Sequence, residues 1–181
     1  MNSQSLKSIL REIPTREDMK EVLAKLSAES DTTLAIVGAT LVETALRMCL
    51  RVRMYSDLAP ADELSLFEGD GPLATFSSKI RIGFAFEAVD PVMRDELNRL
   101  RTIRNAFAHS KSLLSFDLPA IRSICDQLVV PDVDTGAPWQ VNDDVVVWVP
   151  REPRDRFIVS VRFCWLFLYQ GIHNPPRWAQ P

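Results

Sequence analysis

Apolar positions recur at helical spacing along most of the chain. Thr15-Arg16-Glu17-Asp18 reads as a helix start, a capping hydroxyl followed by first-turn acids, and Met19, Val22, Leu23 and Leu26 then form a 3.6-residue stripe. A second helix is predicted over about 31–54, capped by Asp31 or Thr32. It is apolar on most sides, through Leu34, Ile36, Val37, Leu41, Val42, Leu46, Met48 and Leu50. A helix apolar nearly all round is expected at the centre of a fold. Pro60 opens a short helix over 60–67, and Leu73, Phe76, Ile80 and Phe84 mark another over 73–88, in which Gly83 either weakens the helix by about 1 kcal/mol relative to alanine or allows close packing. Asp90-Pro91 is an acidic cap followed by proline at the first helical position, and starts a helix that runs to about Ser110.

Asp117-Leu118-Pro119 begins the next helix, with Ile121, Ile124, Cys125 and Leu128 on one face. Residues 131–152 break the pattern with Pro131, Gly136, Pro138 and Pro150, and Val145–Val149 reads as a short extended segment. A last helix covers 153–170, ended by Gly171, and 172–181 form an irregular tail in which Trp178 is a candidate partner contact. The expected fold is therefore all-α: a single-domain bundle of six to seven helices over 1–181, with one Pro-rich insert.

Composition narrows the function classes. The 181 residues carry 21 Lys and Arg against 24 Asp and Glu, a net charge of −3, which excludes a basic nucleic-acid coat and a polybasic membrane binder. No uninterrupted apolar run reaches the roughly 18 residues of a membrane span, and no secretory signal is evident, so no membrane partner is expected. Cys49, Cys125 and Cys164 each sit in an apolar helical pattern and read as free core thiols, which points to the cytoplasm. The histidines are His109 and His173, with no Cys/His cluster at metal spacing, so neither a metal nor a cofactor is expected.

Chemistry concentrates in residues 90–110. At about 100° per residue, Arg94, Asn98, Arg101, Asn105 and His109 form one polar stripe roughly 80° wide, opposite Leu97, Leu100, Ile103 and Phe107. The segment 90–111 counts five Lys and Arg against Asp90, Asp95 and Glu96, making it locally basic. Arg104 is the exception to the pattern, because it falls among Leu97 and Leu100. In the central helix Glu43 falls between Ile36, Ala39, Leu46 and Leu50. Two opposite charges on core-facing stripes predict a Glu43–Arg104 ion pair, whose breakage at Arg104 should cost about 3–5 kcal/mol if it strands the carboxylate. A neutral imidazole at His109 could move a proton to or from an RNA 2′-hydroxyl, and an arginine could hold the phosphate. Positions 104 and 109 point about 140° apart on one helix, so a working site of that kind needs two copies.

Three stretches in order, Leu34–Leu50 (LAIVGATLVETALRMCL), Gly71–Ala88 (GPLATFSSKIRIGFAFEA) and Leu100–His109 (LRTIRNAFAH), resemble the mannitol operon repressor (MltR-like) family over about 30–130. The resemblance implies an all-helical regulator of a sugar-alcohol operon. No helix-turn-helix is evident and the pI is near 5.4, so repression is expected through a protein partner such as a transcription regulator. Arg104-Asn105 and His109 also resemble the HEPN superfamily of helical domains, some of which are metal-independent ribonucleases. On that resemblance Arg104 and His109 would be catalytic and Asn105 a polar helper, with Arg94, Asn98 and Arg101 as a partner or RNA face. A homodimer is expected in either case.

Overall fold

The computed structural model describes residues 14–54, 56–129, 139–141, 144–146 and 151–174. Seven α-helices lie in these residues: α1 (Arg16–Leu26), α2 (Asp31–Arg51), α3 (Pro60–Phe67), α4 (Phe76–Ala85), α5 (Pro91–His109), α6 (Pro119–Cys125) and α7 (Pro153–His173). Between α6 and α7, β1 (Trp139–Val141) pairs antiparallel with β2 (Asp144–Val146) in a two-stranded ribbon, with Trp139 opposite Val146. The extended reading of Val145–Val149 overlaps β2, while Trp148, Pro150, residues 131–138 and Trp178 lie outside the described residues. The architecture is an all-α bundle.

Local chemistry sets the helix ends. Thr15 and Asp18 form a reciprocal capping box on α1: the Asp18 carboxylate accepts from the Thr15 N–H at 2.8 Å and the Thr15 hydroxyl from the Asp18 N–H at 3.1 Å. The cap of α2 is Ser30, not Asp31 or Thr32; its hydroxyl accepts from the Thr33 N–H at 3.2 Å. Asp31 is thereby free for tertiary work. Its carboxylate accepts from the Phe116 N–H at 3.0 Å and pairs with Arg154 of α7, whose guanidinium also bonds the Ser27 and Glu29 carbonyls. One acid thus ties the start of α2 to the turn before α6 and to α7.

The central helix is α2, as its pattern predicts. Leu34, Ala39, Val42, Leu46 and Cys49 are fully enclosed among α1, α4, α5 and α7. By length and composition α2 could also cross a membrane, with a mean hydropathy of 1.5; in the fold, half of that stretch is buried between helices. Two glycines let α2 and α7 approach closely. A Cβ at Gly38 would sit 3.2 Å from Phe157 and 3.3 Å from Val161, and one at Gly171 would sit 3.1 Å from the Cys49 sulfur. Gly171 therefore does not end α7, which continues to His173. Its lack of a side chain serves close packing, a use that has the same sequence signature as a C-terminal stop. Phe107, Phe116 and Phe157 form a tilted aromatic chain at 5.1 Å spacings that joins α5 to α7.

Candidate functional site

Arg104 extends from α5 toward Glu43 of α2. Its Nη2 donates to Glu43 Oε2 at 3.1 Å, so the structure brings the two core-facing charges together. A third residue completes the group. Lys79 of α4, with its side chain only 6% exposed, donates its ammonium to Glu43 Oε1 at 2.7 Å and to the Ala74 carbonyl at 3.1 Å. Phe76, three residues before Lys79, lies under the Arg104 guanidinium at 5.9 Å. One carboxylate from α2 thus holds cations from α4 and α5. Lys79 has a sequence signal that the apolar reading passes over: it sits on the same stripe as Phe76, Ile80 and Gly83, a charge on a core-facing helix side. Its presence lowers the penalty expected for losing Arg104. Glu43 would keep one ammonium, so the cost becomes that of a single charged hydrogen bond, about 1.5–3 kcal/mol.

The rest of the α5 stripe is built differently. Arg94 bonds Asp95 at 2.9 Å and lies over the Phe84 ring at 4.5 Å. The Asn98 amide donates to the Arg94 carbonyl at 3.0 Å, a local contact within the helix. Arg101 is half-buried; its Nε is enclosed without a hydrogen-bond partner, and the residue makes no ion pair among the described residues. Asn105 is half-buried, and His109 is exposed at the last position of α5. Neither makes a side-chain hydrogen bond among the described residues. Arg104 turns inward to α2 and α4 while His109 faces out, so within one chain the two do not converge on a common point.

Glu96 is one of the three acids counted over 90–111, and the structure takes it out of the solvent-facing set. It is fully buried, not a surface acid. Its carboxylate accepts from the Ser160 hydroxyl of α7 at 2.5 Å, from the Val129 N–H at 3.0 and 3.1 Å, and from Arg99 at 3.3 Å. The wheel that isolates Arg104 also places Glu96 near 160°, between Ile103 and Phe107, and this is the signal that identifies it. Arg156 does similar connecting work, donating to the Cys125, Asp126 and Leu128 carbonyls at the end of α6.

Cys49, Cys125 and Cys164 are free and buried. Burial pushes the Cys125 thiol up to about 12, and the Cys49 and Cys164 thiols also rise by burial. A thiol held neutral in this way is a poor nucleophile and metal ligand. Among the described residues no group of three or more His, Cys, Asp and Glu could hold a metal ion.

Fold and site together define an all-α bundle whose central carboxylate clamps two neighbouring helices. Comparison with protein-family models, curated proteins and solved structures gives no match.

Proposed function

We propose that this protein is a non-enzymatic regulatory scaffold of the mannitol-repressor type, cytoplasmic, acting through a protein partner and not by direct DNA binding. The observation that carries the reading is the commitment of Arg104 to Glu43 over the Phe76 ring. An arginine used to hold a scissile phosphate must offer its donors to substrate. Here one of them is spent on a carboxylate that also neutralises a buried lysine, so withdrawing it loosens the junction of α2, α4 and α5. The motif arginine therefore has a structural use sufficient to explain its place. Free, buried thiols fit a reducing compartment.

The ribonuclease reading keeps one observation in its favour: His109 is exposed, with the half-buried Asn105 one turn away. The two readings separate in one experiment. Purified protein is incubated with single-stranded and structured RNA in the presence of a chelator, and the gene is deleted and complemented in its host. The scaffold reading expects intact RNA. It also expects a transcript change on deletion that His109→Ala restores as well as the native gene does. Chelator-resistant cleavage that disappears in His109→Ala would establish the nuclease instead.

A further inference from the structure

The central helix α2 is apolar nearly all round, yet the described helices leave one strip of it open. Its mean hydropathy of 1.5 is that of a helix normally covered on every side. α1, α4, α5 and α7 enclose Leu34, Val42, Leu46 and Cys49. The three exposed positions of α2 are Val37, Thr40 and Thr44, and none carries a charge. The Thr40 hydroxyl donates to the Ile36 carbonyl at 2.8 Å, so its proton is spent inside the helix. With Leu41 and Met48 this strip makes one wall of a groove, and Tyr169 and Ile172 of α7 belong to the other. Among the described residues no charged side chain lines the groove, and Pro14, the residue before the α1 cap, is part of it. The groove holds about 100 Å³. That is below the roughly 300–1,000 Å³ of small-molecule sites, and suits side chains projecting from a segment laid along it.

We propose that the occupant of this groove is residues 1–13 of the same chain, laid along α2 as a short amphipathic helix. These residues lie outside the described ones, and their sequence is MNSQSLKSILREI. At about 100° per residue, Leu6, Ile9, Leu10 and Ile13 fall within one arc about 100° wide, and Lys7, Arg11 and Glu12 fall on the other side. That spacing is how an amphipathic helix presents its anchors to an apolar groove. The lengths agree: from Ser3 to Ile13 a helix rises about 15 Å, and from Val37 to Met48 about 16.5 Å. The tether decides between occupants. Pro14 belongs to the groove, so the preceding segment starts there, and tethering raises its local concentration above that of any free competitor. The proline also keeps such a helix separate from α1, whose cap is Thr15. The chain beyond α7 offers less, since Pro175-Pro176-Arg177-Trp178 has one large apolar residue and two prolines. A nucleic acid finds no lining cation for its phosphates, and Arg16 is already engaged over the Tyr169 ring at 5.8 Å. Residues 1–13 are thus a built-in cover, and an apolar helix from another protein reaches this face of α2 only by displacing them.

The test is amide hydrogen exchange on the full chain, resolved to peptides covering 1–13 and 175–181. Docking predicts that amides over 6–13 exchange about tenfold or more slowly than their intrinsic rate. Two variants should each abolish that protection: Ile9→Asp with Leu10→Asp in the segment, and Val37→Glu with Thr44→Glu in the groove. Val37 and Thr44 are exposed, so the core is spared, and unchanged exchange over α5 is the control for folding. Mixing the two variants at about 10 µM each tests the tether, because one has an intact groove and the other an intact segment. A mixture that stays unprotected is the result expected. Protection regained on mixing means that the segment of one copy lies on another, and overturns the proposal. So do amides over 6–13 that exchange at their intrinsic rate in the native chain, and so does protection that survives Val37→Glu with Thr44→Glu. Protection over 175–181 that is lost in Val37→Glu with Thr44→Glu, with 1–13 unprotected throughout, assigns the groove to the residues after α7 instead.

Discussion

Glu43 and Glu96 both leave water, and the fold compensates them in different ways. Glu43, 19% exposed, is matched by two cations from neighbouring helices. Glu96, fully enclosed, is matched mainly by uncharged donors, the Ser160 hydroxyl and the Val129 N–H, with Arg99 at the edge. A buried carboxylate needs its lone pairs filled, and charge is only one way of filling them. The difference sets what each loss leaves behind. Without Glu43 a buried ammonium and a half-buried guanidinium remain. Without Glu96 a hydroxyl and a backbone N–H remain, beside an Arg99 that already reaches water. The first group is an electrostatic clamp, and the second is a hydrogen-bonded socket.

The largest expected effect follows from the clamp. Glu43→Ala should destabilise the fold by about 3–5 kcal/mol in urea denaturation, because Lys79 is left buried and unpaired. Replacing Glu43 and Lys79 together with Leu and Met should recover most of that loss, since apolar residues of similar volume need no counter-charge. No recovery would mean that the carboxylate matters for something other than neutralising Lys79. At the socket, Glu96→Leu should cost about 1–3 kcal/mol, the penalty for unsatisfied neutral donors, and should raise amide exchange at Val129. A larger loss than Glu43→Ala would reverse the ranking of the two sites.

The buried thiols give a pH signature of their own. The folded state holds Cys125 protonated up to about 12, against an ordinary 9.0. The unfolded chain therefore binds fewer protons above that ordinary value, and stability should fall as pH rises from about 9 toward 12. Between pH 9 and 10.5 the Cys125 share amounts to on the order of 2 kcal/mol, and Cys125→Ala should make that part of the urea-midpoint profile shallower without flattening it, because Cys49 and Cys164 are raised as well. The smallest effect belongs to the exposed stripe. His109→Ala should change stability by no more than about 0.5 kcal/mol. A large penalty there would show that the imidazole has a packing role.

Much of the framework is legible in the chain. Capping residues, N1 prolines and 3.6-residue stripes locate the helices to within a few residues, because those signals are local. The same wheel that exposes Arg104 and Glu43 as charges on apolar faces also contains Lys79 and Glu96. They are missed when a helix is read only for its apolar members. Other partners cannot be read locally at all. The Val129 N–H lies just beyond the turn that follows α6, 33 residues from Glu96, and Arg154 reaches Asp31 across 123 positions. Gly171 shows a further limit, since a glycine needed for contact with Cys49 looks the same in sequence as one that ends a helix. His109 is legible as exposed, but its purpose depends on what another molecule brings to it.

The direct test of this account is a double-mutant cycle on Glu43→Gln and Arg104→Gln, read as unfolding free energy. The clamp requires the two substitutions to couple, by about 1–3 kcal/mol, with the double variant less damaged than the sum of its parts. Additivity to within about 0.3–0.5 kcal/mol would contradict it, and would release Arg104 for a role outside the fold.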